Sequence, residues 1–455
     1  MSYQAIVSKL DNVRPCPNAD RLLLATVHNH QVIVGLDSKQ GDQVLFFGAD
    51  GQLSEVFAQA NNLVSYMEDG VKKGGFFAKN RRVRAQKLRG QLSEGYACSL
   101  DCLVKAGVPE ADVSKLKLGD QFTEISGVEI CCKYETPATK QAQQKAGGGS
   151  KRRENKFFPK HQDTSQLKHS IGNIEVGSLI YLTIKQHGTS GRYAHVLDEV
   201  LKPRWYHKLF RMKFPTAMEY QHLVGSRNVI LGQPNDQNGG FYKTNDFRHA
   251  CVNDMMHLLK KGEIVYGEIV GWCEIEKSIM PEVTTSSLKD KAFRKQYGDK
   301  MLFKYGQPNG TCKFYVYHIK RVLEDGTVTD LSWPQVRARS AELGVPTVVE
   351  SINHPLVYLG KGMVDVPHRI TTINEETGEA FKRLVYCETE LVDLCTELAQ
   401  GPDPLDPSHI KEGVALRIEG PQGNVYFVKQ KSFEFYVLEG VMKDNSEYVD
   451  TEEAS

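Results

Sequence analysis

The chain has 455 residues, which at roughly 150 residues per domain suggests about two to three domains. Lys and Arg total 57 against 56 Asp and Glu, a net charge of +1, with 40% of residues hydrophobic and 25% charged. That balance excludes a disordered chain, a collagen-like rod and a disulfide scaffold. It also excludes nucleic-acid binding through bulk charge, so any phosphate contact must come from local clusters.

No run reaches the roughly 18 apolar residues that span a bilayer, and MSYQAIVSKLDNVRPC lacks the apolar core of a signal peptide. A cytoplasmic protein without a membrane partner is expected. The ten cysteines include no Cys-x-x-Cys pair, and they read as free thiols rather than zinc ligands.

Residues 1–130 are β-rich. LLLATV (22–27), QVIVGL (31–36) and QVLFFG (43–48) are short apolar runs bounded by Asn, Asp and Gly, which predicts a small barrel or sandwich. HNH at 28–30 sits where a hairpin turn is needed. VKKGGFFAKNRRVRAQKLRG (71–90) carries eight Lys/Arg and no acid, with Phe76 and Phe77 inside it. Basic groups beside aromatics suit a surface that tracks phosphates and stacks bases. Residues 131–165, centred on TPATKQAQQKAGGGSKRRENK, are polar and hold three consecutive glycines, the composition of a flexible linker. Its basic residues add weak, salt-sensitive attraction to nucleic acid.

Residues 166–443 alternate strand-like and helix-like segments. IEVGSLIYLTIK (174–185) and GEIVYGEIVGW (262–272) read as strands. In 246–262 the apolar Val252, Met255, Met256 and Leu259 follow helical spacing, with Gly262 suited to the helix end. TCKFYVYHIKRVLEDGTVTDL (311–331) reads as a hairpin around Asp325-Gly326, and Trp333-Pro334 opens a helix through Ala341. Residues 444–455 read as an acidic disordered tail.

The chemistry concentrates in KQHGTSGR (185–192). Lys185 ends an apolar strand, and Gly188, Thr189 and Ser190 read as a turn with free backbone amides, a small oxyanion site beside an amine. Such an amine becomes a nucleophile where cationic neighbours and partial burial lower its pKa. In VYGEIVG (265–271), Glu268 lies in an otherwise apolar strand and needs a cation, a hydroxyl or a metal-bound water as partner. FYVYHIK (314–320) alternates, so Tyr315 and Tyr317 share a face. KEGVALRIEG (411–420) places Glu412 at a strand start. VYFVKQKSF (425–433) places Lys429 and Lys431 on one face, where an anion such as phosphate relieves their repulsion.

The order of these parts resembles the covalent nucleotidyltransferases, the polynucleotide ligases and messenger-RNA capping enzymes. Their first motif, Lys-x-(Asp/His)-Gly-x-x-x-Arg, is matched by Lys185, His187, Gly188 and Arg192. His followed by Gly-Thr resembles the ATP-dependent RNA ligases, particularly relatives of the phage ligase that seals nicks in duplex RNA. GSRNVILG (225–232) lies where those ligases carry a basic residue that contacts RNA or nucleotide, here Arg227. VYGEIVG, FYVYHI, KEGVALR and VKQK resemble the later motifs, so the likeness covers about 170–435. One RNA ligase family places an OB-fold domain first and ends soon after the last motif, and only 24 residues follow Lys431 here. RPCPNADRLLLATV (14–27) is similar to the opening of an OB-type tRNA-binding module.

The resemblance implies an α+β architecture: an OB-like β-barrel domain joined by the linker to a nucleotidyltransferase domain with an antiparallel-rich sheet. It implies ATP and Mg²⁺ (or Mn²⁺) as cofactors and a monomer that joins RNA 3′-OH and 5′-phosphate ends, at nicks in duplex RNA or RNA/DNA hybrids. Lys185 would carry AMP. Glu412 would hold the metal and Glu268 the ribose hydroxyls or metal waters. Tyr317, with Tyr315 as its register alternative, would stack on adenine. Lys429 and Lys431 would hold phosphates, joined by His187, Gly188 and Arg192 in binding the nucleotide, and Arg227 and Arg417 would contact phosphate or RNA. Two positions depart from the phage pattern: Ile184 replaces an acid before the lysine, and Arg417 replaces a lysine. Capping with GTP, or RNA binding without catalysis, are the alternatives.

Overall fold

The computed structural model describes residues 3–17, 19–141, 154–202, 216–232, 242, 244–285, 288, 290–362, 368–373 and 380–444. The chain divides into two compact units, Met1–Thr136 with Tyr436–Asn445, and Pro137–Phe435 with Ser446–Ser455.

The first unit is built from short antiparallel strands. Gly95–Ser99, Gln43–Gly48, Ala5–Lys9 and Gln121–Phe122 form a four-stranded sheet in that order, and Asp11–Pro15, Leu23–Val27 and His30–Val34 form a three-stranded one. Among the described residues neither sheet closes on itself. The turn expected at 28–30 is a two-residue connection in which Val27 pairs with His30. His28 and Asn29 both take positive φ, 48° and 63°, the twist a tight hairpin requires. Leu45, Phe47, Phe57, Phe77 and Leu103 make one core. Phe77 is buried and meets Tyr96 edge-on at 5.0 Å, whereas its neighbour Phe76 is exposed. The basic stretch therefore contributes one aromatic to the core and one to the surface.

Both ends of the expected 131–165 linker are packed. Cys131–Lys133 pairs with Gly51–Leu53, and Phe157 and Phe158 are buried against Ala194, Ile264 and Tyr266. Two adjacent apolar rings outweigh the polar composition around them. The Gly-rich centre, 142–153, lies outside the described residues, as does most of the expected tail, since the last helix runs Phe433–Asp444.

The second unit holds two large sheets. One has seven strands in the order Ser165–Gln166, Val425–Lys431, Gly413–Glu419, Leu179–Lys185, Leu356–Tyr358, Ala380–Tyr386, His368–Ile373. The other runs Thr216–Gly225, Thr189–Leu201, Glu263–Glu274, Cys312–Val322, Val328–Asp330, with Lys277–Ser278 pairing off Glu263–Glu274. Most of these pairings are antiparallel, and Ser165–Gln166 and Leu356–Tyr358 make parallel ones. Ile180, Leu182, Val414, Leu416, Ile418 and Val428 turn one face of the first sheet onto the core.

The hairpin at 311–331 forms, with Gly326 at φ 92°. The helix after it spans Trp333–Glu342, opened by a reciprocal cap between Ser332 and Gln335. Its Arg339 clamps the buried Glu263 of the sheet through two bonds of 2.8 and 2.9 Å. The helix expected over 246–262 is instead two short ones, Asp246–Ala250 and Asn253–Met256. The Arg248 carbonyl that a continuous helix would offer to the Val252 amide accepts from the Tyr193 hydroxyl at 2.8 Å. Val252, Met255 and Leu259 still reach the core.

Candidate active site

Strand alternation places one row of side chains from each sheet around a single cavity. On the seven-stranded sheet, Thr183 and Lys185, Ala415 and Arg417, and Phe427 and Lys429 face it, while Leu182, Val414, Leu416 and Val428 between and beside them face the core; Ile184 and Gln186, at the strand end, also line the cavity. On the six-stranded sheet, Ser190, Tyr266, Glu268, Tyr317, His318 and Lys320 line it.

The tyrosine register is decided by a β-bulge. Tyr266 pairs with His318 but Gly267 pairs with Val316, so Tyr317 is the extra residue. A bulge of this kind re-aims a side chain: Tyr317 and His318 both line the cavity, and Tyr315 is buried outside its lining.

Lys185 lies at the end of its strand in register with Gly413, and Gly413 in register with Lys431. That row delivers Glu412 between two ammoniums. Glu412 Oε2 accepts from Lys185 Nζ at 2.8 Å, and Oε1 lies 3.7 Å from Lys431 Nζ. His187 Nδ1 is 3.6 Å from the same carboxylate. Burial alone would raise the Glu412 pKa, but Lys185, His187 and Lys431 outweigh it and hold the carboxyl at about 2. Gly413 is required here, because a Cβ on it would lie 2.1 Å from the Gln430 carbonyl. Gly188 is required likewise: a Cβ there would meet the Ile269 carbonyl oxygen at 2.3 Å.

The expected turn over Gly188, Thr189 and Ser190 ends sooner, since Thr189 already opens a strand paired with Ile269. Ser190 Oγ donates to Glu268 Oε2 at 3.4 Å. Arg248, which the sequence did not single out, supports this corner through the Ser190 carbonyl at 2.6 Å and Thr189 Oγ1 at 2.8 Å.

The expected residues thus fall into three places. Lys185, Glu268, Tyr317, Lys429, Arg227 and Arg417 line the cavity. His187, Glu412 and Lys431 stand behind the Lys185 amine, where Phe303 and Phe435 pack on the His187 ring at 4.9 Å each. Arg192 belongs to neither group. It is 1% exposed and stacks on Phe158 at 4.3 Å. Its Nε donates to the Ser226 carbonyl at 2.9 Å and its Nη1 to that of Phe158 at 2.8 Å. It joins the 154–164 segment to the sheet and is not among the residues that line the cavity. Arg417 is also held inside, by Glu419 at 2.8 Å and His318 Nδ1 at 2.9 Å.

Several lining residues carried no sequence signal: His161, Gln162, Gln186, Trp333 and Phe427. His161 Nδ1 hydrogen-bonds the Tyr317 hydroxyl, and its pKa is driven well down by burial and by Arg192, Arg227 and Arg248, so the ring is neutral. His318 is also neutral. Burial, opposed by the hydrogen bond to Asp330 and reinforced by Arg417, brings it to about 4. Among the described residues no three His, Cys, Asp or Glu side chains form a metal-binding group, and no helix is long and apolar enough to cross a membrane.

No family model matches the chain, and no curated protein matches it by sequence. Solved structures do. The apo form of a variant of Naegleria gruberi RNA ligase superposes with a TM-score of 0.54 at 16% identity, covering 96% of this chain and 98% of that one. Another variant of that ligase, with ATP and Mn, gives 0.55 at 17% identity over 95% and 98%. The same ligase with PPi gives 0.54 at 16% over 97% and 98%. Over nearly its whole length, then, the chain is similar in fold to an RNA ligase.

Proposed function

We propose that this protein is an ATP-dependent RNA ligase acting through a lysyl–AMP intermediate. The observation that carries the reading is the Lys185 amine at the cavity wall, held 2.8 Å from Glu412 with Lys431 on the carboxylate's other oxygen. An acid, an aromatic and a lysine line the same cavity, Glu268, Tyr317 and Lys429, and they supply the kinds of group that would bind an adenosine phosphate. The fold likeness to a ligase with ATP and Mn supports the same reading.

In the first step Lys185 Nζ attacks the α-phosphorus of ATP, a phosphorus–nitrogen bond forms and pyrophosphate leaves. A 5′-phosphate oxygen of RNA then takes the adenylyl group, breaking that bond. The 3′-OH of the second end attacks the activated 5′-phosphorus and expels AMP. Glu412 aligns the amine. Tyr317 stacks on adenine, Glu268 accepts from the ribose, and Lys429 meets the α-phosphate. Lys431 supports Glu412 and the phosphates. Arg227 on the rim contacts the RNA end.

Mg²⁺ or Mn²⁺ fits this donor set. Mg²⁺ uses one or two carboxylates with substrate phosphates and its own waters, without a protein cage; Glu412 bonds the lysine and Glu268 lines the same cavity. The ion would supply charge neutralisation at the phosphates. The substrate is proposed to be a nick in duplex RNA or an RNA/DNA hybrid, joined by a cytoplasmic monomer. The first unit is proposed to be an OB-like RNA-binding domain, a fold that is itself a partly open barrel, and 166–443 the adenylation domain.

The test is the intact mass of the protein after mixing with ATP and Mg²⁺, beside GTP and the Lys185→Ala variant. A gain of one AMP that the variant lacks is expected. A GMP adduct would move the reading to capping. No adduct with either, in protein freed of bound AMP, would overturn it.

A further inference from the structure

Tyr317 does not hold its own position. It occupies a bulge, where one residue too many must be accommodated opposite Tyr266 and Gly267. A bulged side chain is off the ladder, so its direction depends on what it touches. Its hydroxyl is bound by His161 Nδ1. The His161 ring in turn stands edge-on to Tyr266 at 5.1 Å, and the Tyr266 hydroxyl donates to the Pro159 carbonyl at 2.9 Å. The segment that carries His161 is pinned at further points: Phe157 and Phe158 in the core, Arg192 on the Phe158 carbonyl and ring, and Arg227 Nη2 on Asp163 Oδ1 at 3.1 Å. His161, Gln162 and Thr164 all line the cavity.

We propose that His161 is a positioning residue for the base. It fixes the Tyr317 ring in the stacking orientation, and the 154–164 segment thereby forms one wall of the adenine site. The inference rests on the adenylation reading above and adds to it a residue outside every motif that suggested it. Its logic is one of pre-organisation. An aromatic held in place before the ligand arrives loses less freedom on binding than one that must be ordered. The hydrogen bond therefore acts on nucleotide affinity and leaves the chemistry at Lys185 untouched.

The experiment is a double-mutant cycle on the rate of enzyme–AMP formation against ATP concentration, in the full-length protein. His161→Ala and Tyr317→Phe each remove the same hydrogen bond, and Tyr317→Phe keeps the ring. Each is expected to raise the ATP concentration at half-maximal rate three- to ten-fold, on the order of one hydrogen bond. In His161→Ala the maximal rate should be unchanged. The double variant should be no worse than either single one, because the bond is already gone. Additive losses, or an unchanged half-maximal ATP concentration in Tyr317→Phe, would overturn the proposal. His161→Asn, which keeps a side-chain acceptor, should recover part of the loss, and thermal unfolding of each variant separates misfolding from misplacement. The wild-type protein distinguishes the two levels of failure: no adduct there overturns the adenylation reading itself, whereas a normal adduct with additive variants overturns only the role of His161.

Discussion

Lys185 and Glu412 are 227 positions apart in the chain and 2.8 Å apart in the site. Their pairing makes two predictions. Lys185→Arg keeps the charge opposite Glu412 but removes the attacking amine, so it should fold normally and form no enzyme–AMP by intact mass. Glu412 makes the second, on stability in acid. Its carboxyl ordinarily titrates near 4.5 and is held at about 2 in the fold. A depressed carboxylate contributes stability above its unfolded pKa and loses it as pH falls through the folded one. The stability advantage of wild type over Glu412→Gln, measured by denaturant melts, should therefore be full above pH 4.5 and fade toward pH 2.

At the scale of the element, two close approaches and one bulge set the geometry. Gly188 and Gly413 pass within 2.3 and 2.1 Å of neighbouring carbonyls, measured from where a Cβ would sit. Gly188→Ala should cost about 1–3 kcal/mol by overpacking and slow adenylation, as thermal melts and AMP labelling will show together. The bulge makes the two tyrosines unequal. Tyr317→Ala should raise the ATP requirement about ten-fold or more, as loss of a stacked base predicts. Tyr315→Ala should lower stability and leave the ATP requirement near wild type. Equal effects on ATP would mean that the register is not what selects the stacking ring. The strands were legible in the sequence as apolar runs such as VYGEIVG, and alternation was legible in FYVYHIK. The bulge was not. It shifts the pairing by one residue, and no composition signal marks it.

At the scale of the molecule, near-neutral charge leaves RNA attraction to local groups. Lys79, Lys87 and Arg89 are exposed in the first unit, as is Phe76. Replacing all three with Ala should weaken RNA binding and flatten its salt dependence. The slope of log affinity against log salt should fall by about 0.7 for each single-strand phosphate that these cations neutralise in the wild type. Enzyme–AMP formation should be unaffected, since those residues line no part of the Lys185 cavity.

By itself the sequence singled out Lys185, Glu268, Lys429 and Lys431 as polar residues in apolar strands and Glu412 at the start of one, a pattern that a local window reveals; in the fold Glu412 lies just before its strand. It also determined the hairpins at 28–29 and 325–326 through their turn residues. The tertiary structure alone decided which cations line the cavity and which fasten backbone carbonyls. Arg192 matches its motif yet is spent on backbone carbonyls, because its partners, Phe158 and Ser226, are brought to it by the fold. It likewise decided that a polar, glycine-bearing stretch delivers His161 to the cavity, because two buried phenylalanines anchor it there. A local window measures composition, but a contact across 156 residues, as between His161 and Tyr317, exists only once the sheets have set the register.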